Sequence, residues 1–364
     1  MAARQQQTRG LDGLPPIKVV GVGGGGCNAV NRMVDEEIPG VQFVAINTDA
    51  QALGLSRAHV TLRIGDKLTH GYGVGGDPSL GERAAEESRD ELLDALKGAD
   101  MIFITAGMGG GTGTGAAPVV AEVARETGAL TIGVVTKPFA FEGVRKREKA
   151  EDGIARLREQ VDTLIAIPND KLRRLSEKHL PLEQAFRTAD DVLRQGIRGI
   201  ADVITRPGII NLDFADIRKV MKDAGQALMA IGYGTGENRA ADAAKQATTS
   251  PLLDVDIHGA RAVLFNVTGP ADMGIEEIDL AAQIINEVVD PDAEIIFGTA
   301  YDDSLGEGIK ITLIATGFPG VQRQREELPF MNAEEKIRSL RVDALPGVPE
   351  TELPTFLRRT VATR

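Results

Sequence analysis

The 364-residue sequence has one cysteine, no tryptophan and only 4% aromatic residues. A single cysteine, Cys27, excludes an internal disulfide and is typical of a reducing compartment. No apolar run approaches the length of a transmembrane helix, and the start, MAARQQQTRG, lacks the apolar middle of a secretory signal. Basic residues are also in deficit, with 41 Lys and Arg against 53 Asp and Glu. We therefore expect a cytoplasmic protein with no nucleic-acid partner and no membrane insertion, suited to cations such as Mg²⁺.

Apolar runs alternate with helical patterns over the first half of the chain. From about residue 17, IKVVGV, VQFVAIN and MIFITAG are each followed by a longer helical pattern. This rhythm predicts an α/β fold with a Rossmann-like parallel sheet covered on both faces. Apolar residues three and four apart predict one long central helix over 181–206. The strand-like runs that follow, around an amphipathic helix, predict a second domain of α+β type.

Two glycine-rich segments each follow a strand-like run and precede a helical one. The first, GVGGGGCNAVNRM at 21–33, contains GxGxxG through Gly21, Gly23 and Gly26, and Asp49 stands near the end of the next strand-like run. This pattern fits a dinucleotide site, and it also fits a tight turn that binds nothing. The second, AGMGGGTGTGAAP at 106–118, holds six glycines and two threonines. So many glycines before a helix favour a phosphate-binding loop.

The second glycine segment differs from the P-loop of nucleotide hydrolases. No lysine follows its glycines, which excludes GxxxxGK[ST]. The charge of a phosphate must then be met by backbone N–H groups, by the hydroxyls of Thr112 and Thr114, and by a metal ion held largely by phosphate oxygens and water.

GGGTGTGAAP, with GVGGGGCNAV before it and NLDFADI after it, closely resembles the FtsZ family of bacterial tubulin homologues. The resemblance runs from about Ile17 to Phe318, with a further match in the tail. It implies GTP or GDP with Mg²⁺ as the ligand, and a GTP-hydrolysing filament protein of the cytokinetic ring at the mid-cell division site. It also implies the domain order: a disordered N-terminus at 1–16, a GTP-binding domain at 17–180, the central helix at 181–206, a GTPase-activating domain at 207–318, a flexible linker at 319–351 and a partner-binding peptide at 352–364.

The same resemblance implies which residues contact the nucleotide. They are Gly24, Gly25, Gly26, Cys27 and Asn28 in the first loop, Asp49 and Ala50 in the second, Gly73, Gly75 and Gly76 in the third, which in the family senses the γ-phosphate, and Gly109, Gly110, Gly111, Thr112, Gly113 and Thr114 in the fourth. The others are Glu142 at the ribose, Lys146 as a basic contact, and Asn169, Phe186 and Asp190 at the base. Two positions depart from the family pattern. Gly76-Asp77-Pro78 stands where Ala-Asn-Pro is more usual, and Lys146 replaces a common arginine, so the planar guanidinium is lost.

Phe186 and Asp190 match the guanine pocket of the family. Phe186 can stack on the base, and Asp190 lies one helical turn further on the same face. A carboxylate accepts hydrogen bonds from both N1–H and N2–H of guanine, which adenine cannot supply, and selectivity for GTP follows. The alternatives are that Phe186 is a plain core residue and that Asp190 lies on a solvated helix face.

NLDFADIRKV supplies the candidate catalytic residues, Asn211, Asp213 and Asp216. Two carboxylates three residues apart at a helix start can cap the helix, or they can orient water for phosphoryl transfer. In the family this segment enters the nucleotide site of the next subunit. The resemblance therefore implies that Asp213 and Asp216 polarise the attacking water, that Asn211 helps to bind across the joint, and that hydrolysis requires head-to-tail assembly.

The tail sequence ELPTFLRRTV combines apolar and basic residues after the linker. Such a peptide fits docking into a groove of a partner, and the resemblance implies division proteins and membrane tethers; the alternative is a frayed terminus. The residues concerned are Leu353, Pro354, Phe356, Leu357, Arg358 and Arg359. Two other functions stay open for the whole chain: an NAD-dependent oxidoreductase, which the GxGxxG pattern and Asp49 suggest, and a structural polymer that binds GTP but scarcely hydrolyses it.

Overall fold

The computed structural model describes residues 14–35, 38, 40–172, 181–205, 213–250, 257 and 260–318. The chain divides into two compact units, Met1–Gln322 and Arg323–Arg364, and every described residue lies in the first. The described strands, β1 to β10, are Ile17–Val22, Val41–Asn47, Val60–Arg63, Met101–Gly107, Leu130–Lys137, Thr163–Pro168, Gly225–Gly234, Ala262–Gly269, Glu294–Tyr301 and Ile309–Thr316. The described α-helices, α1 to α12, are Gly23–Val34, Ala50–Gly54, Asp66–Thr69, Pro78–Glu87, Arg89–Leu96, Thr112–Glu126, Val144–Gln160, Asn169–Leu172, Leu182–Thr205, Phe214–Met221, Arg239–Thr248 and Ile275–Asn286.

The ten strands form one sheet in the order β3-β2-β1-β4-β5-β6-β7-β10-β8-β9. Strands β1 to β6 pair only in parallel, and β7 joins β6 in parallel over a short stretch. In the second half β10 runs antiparallel to both of its neighbours, β7 and β8. The predicted fold class, a parallel α/β half followed by an α+β half, is confirmed.

The carboxyl ends of β1, β2 and β4 place the glycine segments at one edge of the sheet. These strands are buried along almost their whole length, since helices cover both faces, and they read as continuous apolar runs for that reason. Strand β1 passes directly into α1 and β4 passes through residues 108–111 into α6. Ligands of parallel α/β sheets bind at this edge.

Helix α9, Leu182–Thr205, is the long central helix predicted over 181–206. Its buried residue Ile197 belongs to one hydrophobic cluster with Ile132 of β5 and Ile314 of β10. The helix therefore shares a core with strands from both halves of the sheet. None of the helices within the described ranges is both long and apolar enough to cross a membrane.

The first glycine segment is more regular than its composition predicts. Glycine has a poor intrinsic helix propensity, yet α1 begins at Gly23, so the segment forms the first turn of a helix instead of a loop. A Cβ on Gly26 would overlap the carbonyl oxygen of Thr105, because α1 crosses β4 at backbone contact. The close approach of these two backbones explains why residue 26 is glycine. The packing of α1 on β4 outweighs the low helix propensity of the glycine run.

Candidate functional site

A cavity of about 340 Å³ opens at the carboxyl ends of β1, β2 and β4. Four connections contribute to its wall. The lining residues are Gly24 and Gly25 of the first loop, Asn47, Thr48, Asp49 and Ala52 of the second, Tyr72, Gly73, Val74, Gly75 and Gly76 of the third, and Gly107, Gly110, Gly111, Thr112 and Gly113 of the fourth. The structure thus brings all four predicted loops to one site. The predicted residues Gly26, Cys27, Asn28, Ala50, Gly109 and Thr114 lie in the same segments beside this lining.

Helices α1 and α6 direct uncapped N-termini to the cavity. Their N-cap positions, Val22 and Gly111, make no side-chain capping hydrogen bond, and neither helix has an acid in its first turn. The flanking helices α2 and α4 are capped by the carboxylates of Asp49 and Asp77. The first N–H groups of a helix have no intrahelical partner and carry partial positive charge. An anion such as phosphate fits the two uncapped ends.

Two cavity glycines are not required by the packing of the protein. A Cβ built on Gly24 or Gly110 would meet no atom within 4 Å, and neither residue has a positive φ. By contrast, a Cβ on Gly111 would lie 2.9 Å from the backbone nitrogen of Asp77. The missing side chains at Gly24 and Gly110 leave room for a ligand that approaches the backbone.

Threonine hydroxyls connect the loops around the cavity. Oγ1 of Thr48 lies 2.7 Å from Oγ1 of Thr112 and joins the second loop to the fourth. Sequence reasoning missed Thr48, although a polar residue directly after a buried strand was a usable signal. Thr114 is fully buried, and its Oγ1 accepts a 2.8 Å hydrogen bond from the Gly109 N–H. The Thr114 hydroxyl therefore stabilises the conformation of the fourth loop through a hydrogen bond inside that loop.

The Cys27 thiol points into the core and lies beside two carbonyl oxygens. It is 3.7 Å from the Gly21 oxygen and 3.6 Å from the Ile46 oxygen, and only 3% of the residue is exposed. Burial raises the pKa of this thiol to about 12, so it stays protonated at neutral pH. The contact of Cys27 with a ligand stays a prediction.

Glu142 and Lys146 form an ion pair beside the fourth loop. Lys146 Nζ donates to Glu142 Oε2 at 3.0 Å, and the Phe139 N–H donates to Oε1 at 2.9 Å. A Cβ on Gly109 would lie 2.7 Å from the Lys146 carbonyl oxygen, so the start of α7 packs on the fourth loop. The structure brings these two predicted site residues together, and their contacts with a nucleotide stay predictions.

Phe186 lies at the exposed margin of an aromatic cluster. Its ring packs edge-on against Phe139, with centroids 5.5 Å apart, and 40% of the residue is exposed. The alternative that Phe186 is a plain core residue is therefore wrong. Asn169, at the start of α8, is buried, and its Oδ1 has no hydrogen-bond partner. An unsatisfied buried acceptor of this kind is consistent with a ligand that donates to it.

Asp190 is paired with Arg32 across the α1–α9 contact, with Nε and Oδ2 3.2 Å apart. Its side chain is only 16% exposed, so the solvated-face alternative is wrong. Burial raises the pKa of this carboxyl to about 6, against the opposing charge of Arg32. Gly24, Asn28 and Arg32 recur every four residues on one face of α1, which covers about 12 Å at 1.5 Å per residue. That face leads from the cavity to Asp190.

Asp213 is the N-cap residue of α10 and Asp216 lies in the first turn of that helix, and both are exposed. Asp213 Oδ1 accepts the Asp216 N–H at 2.8 Å, so the predicted capping by Asp213 is confirmed, while its catalytic role stays a prediction. Asn211 lies outside the described residues.

Helix α10 packs at the amino edge of the sheet. The Met221 carbonyl accepts a hydrogen bond from Thr163, the first residue of β6, and Arg218 donates to Gly128, just before β5. The cavity lies at the carboxyl edge, about 20 Å away along strands of six to eight residues. The acids and the cavity of one chain therefore lie on opposite edges of the sheet.

Sequence reasoning also missed Lys149 on α7. Its Nζ donates a 2.6 Å hydrogen bond to the carbonyl oxygen of Gly76 in the third loop. Within the described ranges, no group of three or more His, Cys, Asp or Glu side chains could hold a metal ion. A cation at the cavity would rely on ligand oxygens, water and the hydroxyls of Thr48 and Thr112.

Comparisons with known proteins match both halves of the chain. The model of the Tubulin/FtsZ family, GTPase domain, matches residues 16–177, and that of the FtsZ family, C-terminal domain, matches residues 225–319. The chain is similar to a solved FtsZ dimer, empty, from M. jannaschii, at 46% identity over 83% of this chain and 88% of that chain, with a TM-score of 0.81. A solved point mutant of FtsZ from M. jannaschii is also 46% identical, over 84% and 92% of the two chains, with a TM-score of 0.81. GDP-bound CetZ1 from Haloferax volcanii shares the fold at 22% identity over 84% and 96%, with a TM-score of 0.73.

Proposed function

The chain belongs to the Tubulin/FtsZ family and is a GTPase, and from this premise we propose that it hydrolyses GTP between the subunits of a head-to-tail filament. The filament forms the cytokinetic ring at the mid-cell division site in the bacterial cytoplasm. One observation carries the proposal: the glycine loops and the acids of α10 occupy opposite edges of the same sheet. A heterologous contact between opposite edges does not close on itself and generates a filament.

The phosphates of GTP lie over the N-termini of α1 and α6. The backbone N–H groups of these uncapped first turns and the hydroxyls of Thr48 and Thr112 are the donors, and no side chain at Gly24 or Gly110 obstructs them. Mg²⁺, bound mainly through phosphate oxygens and water, would neutralise phosphate charge. The family match covers the GxGxxG segment that suggested a dinucleotide site, and GTP takes the place of NAD.

The base of GTP lies along α1 toward α9. Phe186 stacks on it from the exposed edge of the aromatic cluster, and Asn28 and Asn169 lie beside it. The ionised Asp190 carboxylate accepts from guanine N1–H and N2–H, while Arg32 holds that carboxylate in place. Glu142, oriented by the Phe139 N–H and Lys146, accepts from the ribose hydroxyls.

Hydrolysis uses groups from two copies of the chain. Asp213 and Asp216 of one copy accept hydrogen bonds from the attacking water at the γ-phosphate of the next copy, and Asn211 binds across the joint. The FtsZ of M. jannaschii is described as a dimer, which supports self-association here. On this assignment residues 17–180 bind GTP, 207–318 activate the neighbour, and the 352–364 peptide recruits division proteins and membrane tethers through a linker at 319–351.

Light scattering and phosphate release, measured together with GTP and Mg²⁺ across protein concentration, test the proposal. We expect both signals to begin at one threshold concentration, since neither subunit alone has a complete site. Phosphate release that is strictly proportional to protein from zero would contradict the two-copy site.

A further inference from the structure

The third loop lines the cavity beside the uncapped N-terminus of α6, where the proposed function places phosphate. Residues Tyr72 to Gly76 line the cavity wall beside the fourth loop: a Cβ on Gly111 would lie 3.1 Å from the Gly76 carbonyl carbon and 2.9 Å from the Asp77 nitrogen. Glycines at 73, 75 and 76 have φ values of 78°, 58° and 78°. A loop built from such residues loses much conformational entropy when it is ordered. It therefore needs contacts that hold it in place.

Lys149 provides such a contact from outside the loop. Its half-buried side chain crosses from α7, and Nζ donates to the Gly76 carbonyl oxygen at 2.6 Å. The next residue, Asp77, caps α4 through the Ser79 N–H at 2.9 Å. Hydrogen bonds from Ser79 hold the pKa of Asp77 below its usual range, and the charge of Lys149 acts in the same direction. The lysine thus holds the end of the third loop where α4 begins.

Helix α7 contacts both phosphate loops through residues one turn apart. Its Lys146 carbonyl lies against Gly109 of the fourth loop, and Lys149 bonds the third. The first turn of α7 contains Arg145, Lys146 and Arg147 and no acid, which opposes the helix dipole. The helix dipole therefore does not favour this concentration of positive charge, whereas phosphate bound in the adjacent cavity, as proposed above, would favour it.

We infer that Lys149 is a positioning residue for the terminal phosphate of GTP: by holding the Gly76 carbonyl, it fixes the third loop in the form that meets the γ-phosphate. The inference rests on the proposed function. Lys149 acts through the loop, so it is distinct from Lys146, which pairs with the ribose acid Glu142. A nucleoside diphosphate has no group at the γ position, so Lys149 should affect binding of the triphosphate and leave binding of the diphosphate unchanged.

The test compares Lys149→Met with Lys149→Arg and with the control Lys137→Met. The control removes the same charge and the 3.1 Å ion pair between Lys137, the last residue of β5, and Glu151 of α7, and the hydrogen bonds of its Nζ go to Glu151 and not to the described third loop. Affinities for GDP and for a non-hydrolysable GTP analogue are measured by competition against a fluorescent GDP, on the full chain below its assembly threshold. We expect Lys149→Met to weaken analogue binding about 3- to 10-fold and to change GDP binding less than about twofold, as one charge-assisted hydrogen bond predicts.

Lys149→Arg keeps a donor and should restore most of the analogue affinity, and Lys137→Met should match the parent for both nucleotides. A Lys149→Met protein that melts like the parent without nucleotide, yet keeps the parent ratio of analogue to GDP affinity, would overturn the inference. An equal loss for both nucleotides would also overturn it. If the parent itself fails to bind the analogue, the proposed function fails instead, so the two failures are distinct.

Discussion

Glycine serves two different purposes around the cavity. At Gly111 a side chain would collide with the third loop, so packing requires glycine. At Gly24 and Gly110 a side chain would meet nothing in the protein, so packing does not require glycine there, and the open space faces the cavity where a ligand can enter. The two groups of glycines cannot be distinguished in the sequence. Substitution by alanine distinguishes them, because it should affect folding in one group and ligand binding in the other.

We predict that Gly24→Ala and Gly110→Ala fold normally but bind GDP at least about tenfold more weakly, because a methyl group displaces a phosphate from the backbone donors. Without nucleotide, their free energy of unfolding should be unchanged or about 0.4–1 kcal/mol higher. Thermal unfolding with and without GDP measures both effects. Gly54→Ala is the matched control, since Gly54 also has an open environment but lies outside the cavity wall. If GDP raises the Tm of Gly110→Ala by as much as that of the parent, glycine at this position does not make room for a phosphate.

Asp190→Asn tests base recognition. The amide accepts from N1–H, but its N–H₂ faces the guanine N2–H₂, so GTP binding should weaken by about tenfold or more. Xanthine carries a carbonyl at that position, so the variant should gain affinity for XTP relative to GTP. Competition binding with both nucleotides measures the change. Unaltered GTP selectivity would place the base elsewhere.

The raised pKa of Asp190 also predicts a pH dependence of stability. Between its ordinary pKa of 3.8 and the folded value of about 6, the folded protein retains a proton that the unfolded chain has lost. The free energy of unfolding should therefore fall as pH rises through this window, by about 1–3 kcal/mol from this group. Urea unfolding of the nucleotide-free protein at pH 4.5 and 7 measures the fall, and Asp190→Asn should reduce it. If the free energy of unfolding of Asp190→Asn falls between pH 4.5 and 7 by as much as that of the parent, Asp190 is not the source of the pH dependence.

At the scale of elements, the start of α10 combines a structural and a proposed catalytic role. Asp213 caps the helix and is exposed beyond it, so a single substitution to Ala removes both properties. Asn also caps helices well, and it lacks the negative charge. The two roles can therefore be separated.

We predict that Asp213→Asn keeps parent stability and nucleotide binding but loses GTP turnover by at least about 100-fold, whereas Asp213→Ala additionally loses about 1 kcal/mol of stability. Phosphate release above the assembly threshold and thermal unfolding measure these effects. Asp290→Asn is the control, because Asp290 is a partly exposed carboxylate that accepts a hydrogen bond from the Asp292 N–H outside the proposed site. Near-parent turnover in Asp213→Asn would leave capping as the only role of this residue.

At the scale of the whole molecule, α9 holds the two halves of the sheet together. A Cβ on its Gly199 would lie 2.6 Å from Cγ2 of Thr312 on β10, so the backbone of the helix packs directly against the second half of the sheet. The cluster that unites Ile132, Ile197 and Ile314 extends through both halves. A core shared in this way predicts that the described halves unfold together.

We predict that Gly199→Ala destabilises the protein by about 1–2 kcal/mol through overpacking, in one cooperative transition. Thr312→Ser removes the colliding methyl group, so the double variant should recover most of the loss. Urea unfolding followed by circular dichroism provides the double-mutant cycle. Simple additivity of the two substitutions would refute the contact.

Sequence patterns were sufficient wherever the cause is local. Apolar runs predicted the parallel strands because both faces of the sheet are buried, and the spacing of apolar residues predicted α9 to within a residue at each described end. Glycine density predicted that these segments line one site, and the structure shows that they line one cavity, while phosphate binding there stays a prediction. The linker and the tail peptide at 352–364 lie outside the described residues, and the predicted domain boundaries stay predictions.

Contacts between distant parts of the chain depended on the tertiary structure. Lys149 and Gly76 are 73 positions apart, and only the packing of α7 against the third loop brings them together. The start of α1 within a glycine run, the bridge from Thr48 to Thr112 and the burial of the Cys27 thiol likewise depend on strand order. So does the separation of the cavity from the α10 acids across the sheet. The sequence by itself determines the chemistry of each residue and the periodicity of each element. Which distant residues come into contact depends on how the whole chain buries its apolar surface.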